Sequence, residues 1–167
     1  MKYGHKLSDA VHILVFVETC KDGDLSSKRI ASSVESNPSL VRRLMATLVK
    51  AGLLQTTPGT VRPRLARPAR EISLRDVYEA IEPEGRLLHV DEKTNPRCVV
   101  GGNIQATREG VYAQVQRDAV RSMEKVSVQS MIDDVLRREQ RKQTEKADSS
   151  ADDAAADSAE TNDASSR

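Results

Sequence analysis

The sequence predicts a mainly α-helical protein with one small β-hairpin, and three observations support this prediction. Apolar residues recur at every third or fourth position through most of residues 6–136, which is the spacing of helices that bury one face. Only residues 53–68 change to a strand-like alternation, on either side of the turn-forming segment 58–60. Aromatic residues make up 2% of the chain, so the core must be aliphatic, which suits small packed helices.

The first two helices are predicted over residues 6–20 and from Ser26 to about Val34. A turn at residues 21–24 separates them, and Ser26 is a good N-cap for the second. We expect these residues of the first helix to be buried: Leu7, Val11, Leu14 and Val17. The apolar positions of the second helix are Ile30, Ala31 and Val34.

A third helix follows a tight turn at residues 35–37 and carries its own start and stop signals. Asn37 is a favoured N-cap, Pro38 occupies the first helical position, and Gly52 suits a left-handed cap. The predicted buried stripe consists of Leu40, Leu44, Leu48 and Ala51. The opposite face consists of Ser39, Arg42, Arg43, Ala46 and Lys50. Because that face combines cations with small residues and has no carboxylate, it is typical of the recognition helix of a helix-turn-helix.

The segment after the third helix predicts a hairpin. Residues 53–57 form one strand, residues 58–60 a turn, and residues 61–68 a returning strand, which Pro63 restricts to a sheet edge. A hairpin in this place is the wing of a winged helix-turn-helix, and Arg62 and Arg64 are placed to reach phosphates or a minor groove.

The remaining helices predict self-association. Ser73 and Asp76 match a capping box, a loop follows at residues 82–98, and a long helix covers about residues 99–123. Its one sparse apolar stripe consists of Ile104, Val111, Val115, Ala119 and Met123. A small domain has little use for a lone helix of this length, so the stripe predicts a homodimer. Ser127 caps a shorter last helix. The apolar residues of the capping-box helix are Leu74, Val77, Tyr78 and Ile81. In the last helix we expect these residues to be buried: Val128, Met131, Ile132, Val135 and Leu136.

Charge is distributed unevenly along the chain. Residues 147–167 carry six carboxylates and one Arg, a balance of −5, which leaves about +6 on residues 1–146 because the whole chain carries +1. From residue 139 the composition lacks apolar periodicity, so we expect a disordered acidic tail that either competes for the basic surface or only confers solubility. The predicted division is a DNA-binding domain at 1–82, a sensor loop at 83–98, dimerisation helices at 99–138 and a tail at 139–167.

Four segments carry a family resemblance. They are AVHILVF in the first helix, NPSLVRRLMATLVKAGLL across the third, LARPAREISLRDVYEAIE after the hairpin and NPRCVVGGNIQ before the long helix. With these segments in unbroken order over roughly residues 5–136, the chain resembles the Rrf family of winged helix-turn-helix regulators, above all its cluster-free branch. The resemblance implies a homodimeric transcription factor, usually a repressor, that binds an inverted repeat in double-stranded DNA.

Nine residues are expected to bind DNA. They are Ser27, Lys28, Asn37, Ser39, Arg42, Arg43, Lys50, Arg62 and Arg64. Arg42 and Arg43 are suited to guanine edges, and the polar residues at the two helix starts are suited to phosphates or bases. The alternative is an ordinary solvated helix face, with an ordinary helix start at Ser27 and Lys28.

The two cysteines, Cys20 and Cys98, are too few for a disulfide framework. Cys98 lies beside Arg97 at the start of the long helix, where a helix N-terminus and a cation lower a thiol pKa. The family resemblance implies a redox switch at this position, and the alternative is an unreactive packed thiol. Whether Cys20 can pair with Cys98 stays open.

No cofactor is expected. Cluster-binding members of the resembling family use three closely spaced cysteines before the long helix, where this chain has only Cys98. His12 matches a ligand of one variant branch, but Ser8 occupies its carboxylate position, so His12 is better explained as a hydrogen-bonded core residue. His5 and His89 share no metal-ligand spacing with it.

Two other function classes are weaker. A cluster- or metal-dependent regulator of the same fold would need an untypical ligand set, and a thiol enzyme would need a His with an orienting carboxylate near Cys98. No signal peptide or apolar run of about 18 residues is recognised, so we expect a bacterial cytoplasmic protein that reaches the nucleoid by binding DNA.

Overall fold

The computed structural model describes residues 5–56, 62–82, 84–88 and 93–163, with side chains as far as residue 146. The helices are α1 (Lys6–Thr19), α2 (Ser27–Val34), α3 (Pro38–Lys50), α4 (Leu74–Ile81), α5 (Val99–Glu124) and α6 (Val128–Asp163). The strands are β1 (Leu54–Gln55) and β2 (Arg64–Leu65), and a 3₁₀ turn covers Ala69–Glu71. The chain divides into two compact units, Met1–Met131 and Ile132–Arg167.

Helix α1 lies at the centre of the first unit, in contact with α2, α3, α4 and β2. Its buried residues are Ala10, Ile13, Leu14 and Val17. The prediction of Leu14 and Val17 is confirmed, but Leu7 and Val11 are only half-buried. Neighbours on several sides of α1 centre the buried face on Ala10 and Ile13, which the sequence pattern alone could not show.

Helices α2 and α3 form the predicted helix-turn-helix. The Ser26 hydroxyl accepts a hydrogen bond from the Arg29 N–H at 3.2 Å, and Asn37 Oδ1 accepts one from the Leu40 N–H at 2.8 Å. Glu35 takes a left-handed φ of 54° in the turn between the helices, and Gly52 has a φ of 69° after α3. Both N-caps and the Gly52 cap are therefore confirmed.

The buried stripe of α3 differs in part from the prediction. Leu44 and Leu48 are buried as expected, and Val41 is buried with them. Leu40 is half-buried and Ala51 is exposed. At the start of α3, Val41 faces the core in place of Leu40, so the buried stripe is shifted there by one position.

The wing is shorter than predicted. Leu54 pairs with Leu65 and Gln55 with Arg64 in an antiparallel register. Continuing that register would place Thr56 opposite Pro63, which has no N–H to donate, so the ladder ends there. Leu54, Leu65 and Pro63 are buried and fix the base of the hairpin. The predicted turn at 58–60 lies outside the described residues, as does residue 61.

Helix α4 begins with the predicted capping box. The Ser73 N–H and hydroxyl both donate to Asp76 Oδ2 at 2.7 Å, and the Asp76 N–H donates to the Ser73 hydroxyl at 3.1 Å. Arg67 forms an ion pair with Asp76 Oδ1 at 3.1 Å. Of its four apolar residues, Val77, Tyr78 and Ile81 are buried, whereas Leu74 is half-buried.

Asp76→Asn is expected to destabilise the fold by about 1 kcal/mol at neutral pH, because it weakens the cap and removes the ion pair. Burial would raise the pKa of Asp76, but hydrogen bonds from Ser73 and the charge of Arg67 outweigh it and hold this pKa below its ordinary value. A depressed folded-state pKa gives stability that is present above the unfolded pKa of about 3.9 and is lost as the pH falls through the folded value.

Urea unfolding at pH 7 and below pH 4 measures this contribution, with exposed Asp22→Asn as the control. The difference between wild type and Asp76→Asn should shrink in acid. An equal difference at both pH values would show that the ionised carboxylate contributes nothing.

Helix α5 is held to α4 by polar contacts. Gln116 Nε2 donates to the Tyr78 hydroxyl at 3.3 Å, and Arg75 forms an ion pair with Glu124 at 3.0 Å. Helix α5 has no buried residue along its 26 positions. Its length and start agree with the prediction, and among the described residues Val111 and Val115 of its apolar stripe are exposed.

Helix α6 begins as predicted, with the Ser127 hydroxyl accepting from the Ser130 N–H at 3.1 Å. Val128 and Ile132 are buried and Met131 is half-buried, but Val135 and Leu136 are 46% and 44% exposed. The expectation that all five are buried is therefore wrong for the last two.

The expected disorder from residue 139 also differs from the structure, in which α6 continues to Asp163. Its side chains from residue 139 to residue 146 are exposed, so no burial stabilises this part. Strong helix formers such as Glu, Gln, Lys, Arg and Ala favour the helix here. Side-chain pairs four residues apart add to this, such as the Arg138–Asp134 ion pair at 2.6 Å and the Gln143–Glu139 hydrogen bond at 3.3 Å. A helix satisfies its own backbone hydrogen bonds, so a segment that buries no apolar surface can still be helical. Within the described residues, no helix is long and apolar enough to cross a membrane.

Candidate nucleic-acid interface

The predicted outer face of α3 is exposed along its whole length. Ser39, Arg42, Arg43, Ala46 and Lys50 all lie on the solvent side of the helix. The opposite side is fixed by Val41, Leu44 and Leu48, which are buried. The rotation of α3 is therefore set by packing, and the packing presents the cations outward.

Arg42 is the most constrained of these cations. Its Nη1 donates to the Ser27 hydroxyl at 3.1 Å, and its Nη2 donates to the Ser39 hydroxyl at 3.0 Å. Ser27 belongs to α2 and Ser39 to the first turn of α3, so the guanidinium joins the two helices of the motif. The sequence placed these three residues in the site but did not show that they contact one another.

The other predicted DNA-binding cations carry unopposed charge. Within the described ranges, these five side chains form no ion pair and no hydrogen bond: Lys28, Arg43, Lys50, Arg62 and Arg64. Elsewhere in the first unit, arginines such as Arg67 and Arg75 are paired with Asp76 and Glu79. Unpaired cations on α2, α3 and β2 concentrate positive potential on the surface of the helix-turn-helix and its wing.

Asn37 has a more local role than the sequence suggested. Its Oδ1 is already used to cap α3, although the side chain is exposed. Its amide N–H groups remain available to a phosphate or a base. The capping bond therefore gives Asn37 a structural role in the site, in addition to any contact with DNA.

The wing is attached to the end of α3. The Leu53 N–H donates to the Leu48 carbonyl at 2.9 Å, and the Ala66 N–H donates to the Leu53 carbonyl at 3.1 Å. Arg62 and Arg64 are exposed on the returning strand side of this hairpin. The hairpin base thus links the two wing cations to the recognition helix through a short, hydrogen-bonded path.

Cys98 lies at the N-cap position of α5 and is exposed. The backbone N–H groups of Gly101 and Val100, in the first turn of α5, lower the pKa of the thiol. The predicted direction is confirmed, but its cause is these two N–H groups, whereas the sequence had suggested Arg97 as well. Cys20 is a half-buried free thiol at the end of α1.

Gly101 is a residue that sequence reasoning did not single out. A Cβ at this position would collide with the Asn95 carbonyl oxygen. The Thr94 hydroxyl also donates to the Gly101 carbonyl at 2.7 Å. The loop is therefore pressed against the first turn of α5 beside Cys98. The pair Gly101-Gly102 was the available signal, because adjacent glycines inside a helix suggest close backbone approach.

The described residues contain no group of three or more His, Cys, Asp or Glu side chains that could hold a metal ion. His12 Nε2 is hydrogen-bonded to the Ser33 hydroxyl at 2.9 Å, which joins α1 to α2 as a structural contact. His89 lies outside the described residues. A 2Fe–2S cluster takes four protein ligands, and this chain has two cysteines in all.

The apolar stripe predicted for self-association is partly exposed among the described residues. Val111 is 56% exposed and Val115 is 45% exposed, while Ile104, Ala119 and Met123 are half-buried. The start of α5 adds Val99 and Val100, at 85% and 64% exposure. Exposed apolar residues along one helix are a common mark of a protein–protein contact.

Three comparisons agree with this geometry. The family model Rrf2, described as an iron-dependent transcriptional regulator, matches residues 3–134. YwnA of Bacillus subtilis (strain 168), named as a proposed HTH-type transcriptional regulator, is 38% identical over 112 residues, which cover 67% of this chain and 83% of YwnA.

Solved structures show the same fold. A crystal structure described as that of a proposed DNA-binding protein is 31% identical and superposes with a TM-score of 0.62 over 76% of this chain and 98% of its own. The structure of CymR, the global cysteine regulator of B. subtilis, is 18% identical, with a TM-score of 0.58 over 80% of this chain and 97% of CymR. The chain therefore belongs to the Rrf2 family: it is a transcriptional regulator with a DNA-binding fold, and it is not an enzyme.

Proposed function

We propose that this protein is a homodimeric repressor that reads an inverted repeat in DNA through α3. The observation that carries the proposal is the set of exposed, unpaired cations on α2, α3 and β2, because such a surface attracts the phosphates of a duplex. Arg42 and Arg43 contact base edges in the major groove. Lys28, Lys50, Arg62 and Arg64 contact phosphates or a minor groove.

Helix α5 supports the proposed homodimer. Two copies of its stripe, centred on Val111 and Val115, bury each other's apolar side chains. A two-fold dimer carries two recognition helices related by symmetry, so its operator has matching symmetry. A dimer bound over a promoter blocks RNA polymerase without needing a further surface that contacts the polymerase. This favours repression over activation.

Selection of genomic fragments by the purified full chain tests the proposal, since the operator is unidentified. The bound fragments should share one inverted repeat, and the chain should block transcription from them in vitro. Fragments with no common motif at about 150 mM salt would contradict sequence-specific binding, and increased transcription would contradict repression.

We also propose that the protein acts without an iron–sulfur cluster, because the cysteine count and the described donor groups do not suit one. Protein purified without oxygen should be colourless and should bind its operator after dialysis against an iron chelator. A brown protein with iron and acid-labile sulfide, whose DNA affinity changes on chelation, would contradict this.

A redox switch at Cys98 is the second part of the proposal, supported by exposure of the thiol and its lowered pKa. Hypochlorite oxidises the thiolate to a sulfenic acid and releases chloride. A second thiol then displaces water and forms a disulfide. The second thiol is Cys20 or Cys98 of the other copy, or a small cellular thiol.

Because the pKa of Cys98 is depressed, its alkylation rate should reach half its maximum below the ordinary thiol pKa of about 8.5. Oxidation should lower operator affinity by about tenfold or more in the wild type and leave Cys98→Ser unchanged. Iodoacetamide kinetics against pH and DNA titrations before and after hypochlorite measure both effects. An unchanged affinity of the oxidised wild type would remove the switch.

A further inference from the structure

The guanidinium of Arg42 is held from two sides by hydroxyl groups. Ser27 accepts from Nη1 at 3.1 Å and Ser39 accepts from Nη2 at 3.0 Å, and each bond uses a different terminal nitrogen. Among the described residues, α2 also contacts α1 through the hydrogen bond between Ser33 and His12. Arg42 is thus fixed on the exposed side of the motif, where a duplex would lie.

The remaining hydrogen-bonding capacity of this group matches a guanine. Each terminal nitrogen of arginine carries two hydrogens, so one on each stays available after both serine bonds form. A guanine presents two acceptors, O6 and N7, to such a fork. The two contacts to serine therefore fix the plane of the guanidinium without exhausting its donors.

Each serine hydroxyl can also donate a hydrogen bond while it accepts one from Arg42. Each oxygen accepts from Arg42, so its hydrogen is free to donate to an oxygen of the DNA backbone. Ser27 is the first residue of α2, and Ser39 lies in the first turn of α3, where helix N–H groups favour an anion. Each helix thus supplies one serine that can contact a phosphate and, at the same time, orient the arginine that reads the base.

We propose that Ser27 and Ser39 are positioning residues that set base specificity by pre-orienting Arg42, and that they do so in addition to any phosphate contact. This inference rests on the proposed function, since it assigns Arg42 to base recognition. A long side chain that is already fixed loses less conformational freedom on binding, so its contacts discriminate better between bases.

The test compares base preference, which a merely structural serine would not change. Wild type is used to select a consensus duplex from a randomised library. The affinities of Ser27→Ala, Ser39→Ala, their double variant and Arg42→Ala are then measured for the consensus, for each single-base variant of it and for a scrambled duplex. Ser32→Ala is the matched control, because Ser32 is an exposed serine on α2 with no side-chain hydrogen bond within the described residues.

The double serine variant should lose about 5- to 30-fold in discrimination at the same base pair that Arg42→Ala affects, with little change at other positions. In the Arg42→Ala background, removing the serines should cause no further loss of discrimination. Arg42→Lys keeps the charge but cannot bond both serines in a fixed plane, so it should lose the same preference. Melting temperatures of all variants should stay near that of wild type.

Unchanged base preference in the double serine variant, with a loss in Arg42→Ala, would overturn the positioning role and leave the proposed function intact. An Arg42→Ala variant with wild-type preference would overturn it as well. A wild type that selects no consensus would overturn the proposed function itself, so the failures are distinguishable.

Discussion

The double substitution Val111→Asp with Val115→Asp is expected to turn the protein into a monomer and to weaken operator binding by at least about 100-fold. The two valines are 56% and 45% exposed on one stripe of α5, where a second copy would bury them. Two carboxylates on each copy would lose water on association and would face those of the other copy. A monomer engages one half-site only, and loss of linked binding accounts for a change of about 10²- to 10⁴-fold.

Sedimentation velocity and DNA titration measure the two consequences together. Ala106→Asp with Ala113→Asp is the matched control, because both alanines are exposed on a different face of α5. The control should remain dimeric and bind normally. A dimeric Val111→Asp, Val115→Asp variant with wild-type affinity would show that this stripe does not join two copies.

Arginines of the recognition helix and of the wing should affect binding in different ways. Arg42→Ala or Arg43→Ala should weaken binding to the selected operator by about 1–3 kcal/mol for each lost bidentate contact, with a smaller effect on scrambled DNA. Arg62→Ala and Arg64→Ala should weaken binding to both duplexes alike. Each lost phosphate contact should also reduce the slope of log affinity against log salt by about 0.9.

Titrations at several salt concentrations on operator and scrambled duplexes separate these effects. Arg70→Ala is a suitable control, because Arg70 is an exposed cation already paired with Glu71. Equal losses on both duplexes for all four variants would contradict the division between base recognition and phosphate contact.

Local signals were read correctly from the sequence because they depend on a few adjacent residues. The cap at Asn37, the capping box of Ser73 and Asp76, and the left-handed Gly52 are each recognisable within four residues. The same holds for the exposed cation face of α3, since a stripe of apolar residues fixes which side turns outward.

Features that depend on distant residues were missed or misplaced. The burial of Val41 in α3 in place of Leu40 depends on how α3 packs against its neighbours. The bonds from Arg42 to Ser27 and Ser39 cross from one helix to another and have no sequence signature. The continuation of α6 past residue 138 was missed although it is a local feature, because a helix rich in strong helix formers requires no distant contact.

The mass of the complex with a selected duplex tests the central claim most directly. If α5 pairs two copies and each α3 reads one half-site, sedimentation equilibrium should give two chains per duplex. Footprinting should give two symmetric half-sites whose centres are about one helical turn, or a multiple of it, apart. One chain bound to an asymmetric site, or two chains with no symmetry in the protected bases, would contradict the claim.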